Sequence, residues 1–167
     1  MADEPGGRLV STADGHDLVL TRTLAGSLAD VWGSVTESDR TAGWFGPWEG
    51  EPGEGRTIKV RMSYEDQAPW IEMLIDACEP PRRLALSSRD ESGNWRVEVL
   101  LTEVDGGTEL RFVHHLDSAS GVGEIGPGWE YYLDMLVASR EGKPLPGFDD
   151  YYPAMKAHYE ALAGTLS

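Results

Sequence analysis

Five stretches, TIKVRM (57–62), WIEMLIDA (70–77), LAL (84–86), VEVLL (97–101) and LRFVHHL (110–116), repeat one theme: an apolar residue at every second position. That period is the signature of strands with one buried face and one wet face. The breaks between them are short. Glu65 to Pro69, Glu79-Pro-Pro-Arg82, Asp90 to Asn94 and Asp105-Gly-Gly107 are turn clusters, and Asp-Gly between alternating rows is a strong hairpin signal. Strands joined so tightly must run antiparallel, because a parallel return needs a long crossover. With an earlier strand over Asp17 to Leu24 (DLVLTRTL), the sequence predicts a six-stranded antiparallel sheet.

Two segments change the period. Ser27-Leu-Ala-Asp30 reads as a capping-box-like helix start, and Leu28, Val31, Trp32 and Val35 follow at helical spacing. Thr36 to Pro47 has room for one more helical turn, and Gly46 to Gly55, with four Gly and two Pro, reads as a loop. Beyond a Gly-rich stretch, Ser118 to Gly128, the residues Trp129, Tyr132, Leu133, Leu136 and Val137 mark one face of a long helix ending near Arg140. Asp149 or Asp150 can cap a last amphipathic stretch, with Pro153 at its start and Met155, Tyr159 and Leu162 along it. The expected class is α+β: one sheet, two short helices after the first strand, and a long C-terminal helix. Residues 1–14 read as a flexible start and 15–167 as one domain.

The 167 residues carry 14 Lys and Arg against 29 Asp and Glu, a formal charge of −15. Residues 1–83 hold 15 acids and 8 bases, residues 84–167 hold 14 and 6, so the halves stand at −7 and −8. A surface acidic throughout offers no basic patch for phosphate backbones or anionic lipid, which argues against nucleic-acid and membrane partners. Cys78 is the single cysteine and can form no internal disulfide; Met1 to Gly7 lacks a signal-peptide pattern. The expectation is a cytoplasmic protein, with Cys78 an inert, packed thiol.

A helix is about 10 Å across, whereas six strands about 4.8 Å apart span roughly 25 Å. One helix cannot cover such a sheet. At about 24 cal/mol per Å³, an empty 300 Å³ gap would cost on the order of 7 kcal/mol, comparable with the whole stability of a domain. A persistent gap therefore needs water or a ligand.

Thr21-Arg22-Thr23, Ser27 to Trp32, Gly43-Trp44-Phe45, Gly128 to Leu136 and Tyr151-Tyr152-Pro153 together resemble the START-related, birch-pollen-allergen-like superfamily called SRPBCC. Within it the chain is most similar to the branch named for homology to the activator of the heat-shock-protein-90 ATPase, over about residues 15–163. The resemblance implies a helix-grip fold: a curved sheet wrapped around the long C-terminal helix, with an internal pocket for a small hydrophobic or amphipathic molecule. It also implies a chaperone partner, although the eukaryotic activators carry an additional N-terminal domain. Relatives in the superfamily include polyketide cyclases and aromatases.

The inward rows supply the expected pocket walls: Val60 and Met62, Ile71 and Met73, Leu86, Val97 and Val99, Phe112 and His114, facing Trp129, Tyr132, Leu133 and Leu136. Trp44, Phe45 and Trp48 fall near the expected entrance. The same residues could simply fill a core, and a one-residue slip would exchange His114 for His115. In an enzyme of this kind His114 or Tyr132 would be the acid or base, but no nucleophile elbow, phosphate loop or metal-ligand spacing is present, so no catalytic residue, metal or cofactor is expected. Adjacent His114 and His115 point to opposite faces and cannot share a metal. Arg22, Arg61, Arg96 and Arg111 lie on strands, and one turned inward could hold a ligand carboxylate.

Overall fold

The structure is a computed structural model describing residues 7–13, 15–63, 67–90, 93–116 and 121–165. The expected turns around 65–66 and 91–92, the first part of the Gly-rich stretch at 117–120, and residues 1–6 of the N-terminal stretch lie outside the described residues.

Eight strands form one sheet: β1 (Arg8–Ser11), β2 (His16–Leu24), β3 (Trp48–Glu49), β4 (Thr57–Arg61), β5 (Trp70–Glu79), β6 (Arg83–Asp90), β7 (Gly93–Val104) and β8 (Gly107–Leu116). Their order is β1-β2-β8-β7-β6-β5-β4-β3, antiparallel throughout. The six expected strands gain one at each edge. β1 lies within the stretch read as flexible, and β3 within the stretch read as a loop. Four and two residues carry too little alternation to be read from sequence; each is defined by its pairing, Arg8 to Ser11 against Val19 to His16 and Trp48 against Val60.

Ser27 caps α1 (Leu28–Thr36) as its sequence predicts, its hydroxyl accepting the Asp30 amide at 3.1 Å. α2 (Ser38–Thr41) is the single further turn. The long helix α3 (Val122–Glu141) starts seven residues before Trp129 and runs through Gly123, Gly126 and Pro127. Propensity argues against helix there, but packing overrides it. A Cβ on Gly126 would lie 2.5 Å from the Tyr159 ring, and one on Gly123 2.9 Å from the Glu160 side chain. The glycines are the contact surface on which α4 (Lys156–Thr165) settles. A one-turn 3₁₀ helix, Phe148–Asp150, precedes it, so the last helix begins later than the Asp149 or Asp150 cap implies.

α3 is pinned to the β2 side of the sheet. Of Arg22, Arg61, Arg96 and Arg111, Arg22 is the one turned inward. It meets Glu130 at 2.7 Å and Asp134 at 3.0 Å, one helical turn apart on α3. Glu130 is 1% exposed and also accepts the Gly7 amide at 3.1 Å and the Tyr159 hydroxyl. Tyr151 donates to Asp134 at 2.8 Å. Burial and these carboxylates push both tyrosine hydroxyls well above their usual range, so both remain protonated donors. The arginine expected as a possible carboxylate holder is thus already occupied.

On the outer face, His115 bridges two strands, with Nδ1 2.7 Å from Asp17 and Nε2 2.7 Å from Glu98. Arg83 extends the row, reaching Glu98 at 3.1 Å and Glu79 at 2.7 Å. Burial alone would lower the imidazole, but hydrogen bonds to Glu98 and Asp17 outweigh it and raise its pKa. A raised native pKa stabilises the fold fully below the unfolded value, about 6.5, and that contribution is lost as pH rises through the native value. The melting temperature of the wild type should therefore decline as pH rises from about 6.5, and His115→Gln should flatten that decline in a calorimetric series. Glu130→Ala leaves Arg22 with Asp134 as its remaining carboxylate and strands the Tyr159 hydroxyl, and should cost about 3 kcal/mol in urea denaturation.

Candidate ligand-binding site

Between α3 and the strands β4 to β8 lies a cavity of about 490 Å³. Its floor is the inner face of the sheet: Ile58, Val60, Met62, Ile71, Met73, Ile75, Leu84, Leu86, Val97, Val99, Leu110 and Phe112. Trp129 and Leu133, four residues apart on α3, form the wall opposite, and Val35, Thr36, Thr41, Trp44, Phe45, Gly46 and Trp48 close one end. Pro52, Pro69, Cys78 and Ser88 complete the lining.

Twelve of the fifteen residues expected on the wall line this cavity; His114, Tyr132 and Leu136 do not. His114 is on the inner face of β8 but lies behind Trp129, whose indole N–H donates to its Nδ1 at 3.1 Å. Tyr132 is turned about 100° from Leu133 around α3 and packs edge-on against Phe45, ring centroids 5.1 Å apart. Leu136 is fully buried in the core. Ile58, Ile75, Leu84 and Leu110 share the parity of the predicted rows and were legible by the same rule. Cys78 was not. The register shifts between Ile75 and Ala77, a bulge that reverses parity, so that Cys78 and not Ala77 faces the cavity.

The aromatic wall is a stacked set. Phe112 and Trp129 have ring centroids 4.2 Å apart, Trp129 lies nearly parallel to Phe45 at 6.2 Å, and Phe45 tilts against Trp44 at 5.6 Å. The indoles are fixed through their nitrogens: Trp44 Nε1 donates to the Ser34 carbonyl at 2.9 Å and Trp48 Nε1 to the Thr36 carbonyl at 2.8 Å. For Trp129 the acceptor must be a neutral imidazole. Burial, reinforced by the charges of His115 and Arg96, lowers His114 to about 4 and keeps it neutral at physiological pH. Burial and the nearby Glu54 charge push the Cys78 thiol up, so it stays protonated and is a poor nucleophile. The wall holds apolar surface, ring faces and no ionised group among the described residues, an arrangement that can bind and shape a molecule.

The model of the family described as "Activator of Hsp90 ATPase homolog 1-like protein" matches residues 25–140. The chain belongs to this family. The matched span runs from the entry into α1 to the end of α3 and so contains every wall residue. The crystal structure of CalU16 from Micromonospora echinospora is 26% identical, with a TM-score of 0.77 over 98% of this chain and 99% of that one. The protein encoded by gene BPP1335 of Bordetella parapertussis is 23% identical, with a TM-score of 0.75 over 95% and 90%. DynU16, a protein of the dynemicin biosynthetic locus, is 22% identical with a TM-score of 0.69; the match takes in 79% of this chain and 50% of that one. These likenesses place the family member within the SRPBCC fold, as its motifs implied. No curated protein matches the chain. No helix among the described residues is long and apolar enough to cross a membrane.

Gly46 sets the end wall. A Cβ there would lie 1.7 Å from the Arg61 carbonyl oxygen, a backbone atom that cannot swing aside. Gly46→Ala should destabilise the fold by about 3 kcal/mol, read as a lowered denaturation midpoint with an unchanged slope.

Proposed function

We propose that this family member binds a small, uncharged, largely aromatic molecule in the cavity between α3 and the sheet. The observation that carries the reading is the cavity itself, about 490 Å³ with an almost wholly apolar lining. Its size falls within the range of about 300–1,000 Å³ usual for small-molecule sites. The cavity opens partly to solvent, and apolar lining left against water costs about 25 cal/mol per Å². Water inside it is poorly held, because ordered water needs two or more polar partners. A ligand that covers the wall removes the penalty. The rigid indoles support the same reading, since side chains fixed through their nitrogens do not collapse into the space. The location of DynU16 in the dynemicin biosynthetic locus is in keeping with a small-molecule cargo.

Binding rather than catalysis is favoured because His114 and Tyr132, the groups that would have served as acid or base, stand off the wall. The chaperone partner implied by the family name draws no support from a particular residue here.

Native mass spectrometry of the freshly purified chain should show a retained small molecule. Val97→Phe, directed into the cavity from the centre of β7, should preserve or raise the melting temperature and abolish that retention. A wild-type chain that carries nothing and takes up no aromatic compound would overturn the reading.

A further inference from the structure

Resting on that reading, the wall's hydrogen bonds narrow the class of ligand. Among the described residues its polar side chains are Thr36, Thr41, Ser88, Cys78 and the three tryptophans. The tryptophan N–H groups donate to Ser34 O, Thr36 O and His114 Nδ1. The hydroxyls are committed as well: Thr36 donates to Trp32 O at 2.7 Å, Thr41 to Gly46 O at 2.7 Å, and Ser88 to Glu72 O at 2.9 Å. Every strong side-chain donor on the wall among the described residues is therefore spent on the protein's own backbone or on His114. What remains is the Cys78 thiol, a weak donor. No Lys or Arg lines the cavity among the described residues, and the inward arginine, Arg22, is held by Glu130 and Asp134.

The hydroxyl oxygens differ from the donors in one respect. A hydroxyl that has given its hydrogen keeps lone pairs with which to accept. Among the described residues, the side chains of the wall can thus satisfy an N–H or O–H of a ligand and have nothing of comparable strength for a carbonyl, and a buried polar group without a partner is costly. A carboxylate fares worse, losing its hydration inside a chain of net charge −15.

We infer that the cavity selects neutral aromatic molecules whose polar groups are hydrogen-bond donors, and discriminates against those presenting carbonyl or carboxylate acceptors. Carbazole and 9-fluorenone test this as a pair. Both are flat, neutral and tricyclic; the first presents an N–H, the second a C=O. Each is titrated into the full chain with its methyl groups isotopically labelled, following Ile58, Ile75 and Met73 on the floor by NMR. Both should shift these methyls, carbazole reaching half-saturation at a concentration about tenfold or more below that of fluorenone, equivalent to about 1.4 kcal/mol. Fluorenone binding as tightly as carbazole, with the same methyls moving, overturns the donor rule and leaves cavity binding standing. If neither compound moves them up to its solubility limit, cavity binding fails and the rule falls with it.

Discussion

Glu130 fixes where α3 lies, and the position of α3 decides what kind of interior the molecule has. An eight-stranded sheet is several times wider than a helix, so a single helix must choose a side. By reaching Arg22, the buried carboxylate draws α3 over β2. The sheet from β4 to β7 is then left with its inner face uncovered, and the cavity is the remainder. An ionised group buried this deeply is a poor source of net stability, since its desolvation offsets most of the attraction. Its effect is on geometry: a leucine in its place could slide along the sheet, whereas Glu130 has partners on β2, before β1 and on α4 that must be met together.

The opposite treatment of two adjacent histidines shows how sharply the sheet divides environments. His114 and His115 are neighbours in sequence, yet one is kept neutral behind an indole and the other has its affinity for a proton raised between two carboxylates. A proton on His115 helps hold its neighbour neutral, since that charge is, after burial, among the causes of the lowered His114 value. The outer ion-pair row and the inner aromatic wall are electrically coupled through the thickness of one strand.

Much of this was legible in the residues. Alternation gave the inner rows, and the Ser27 cap and Asp105-Gly-Gly107 marked a helix start and a hairpin that the structure keeps. The failures have particular physical causes. The first turns of α3 were hidden because Gly123 and Gly126 serve a neighbour thirty-odd residues away and not their own helix. Cys78 was hidden because a bulge reverses parity without any local sequence mark, and His114 because nothing along β8 says that Trp129 will lie across it. Sequence period reports which face a residue takes; whether that face is open or covered is decided by a distant segment.

The two ends of the described chain meet on a single atom. The Gly7 amide and the Tyr159 hydroxyl both approach Oε2 of Glu130, and neither β1 nor α4 contributes a residue to the cavity wall. The polypeptide is therefore fastened into a loop, with its knot on one flank and its hollow on the other. The fastening and the hollow share no wall residue among those described, so the lining can vary with little effect on the knot.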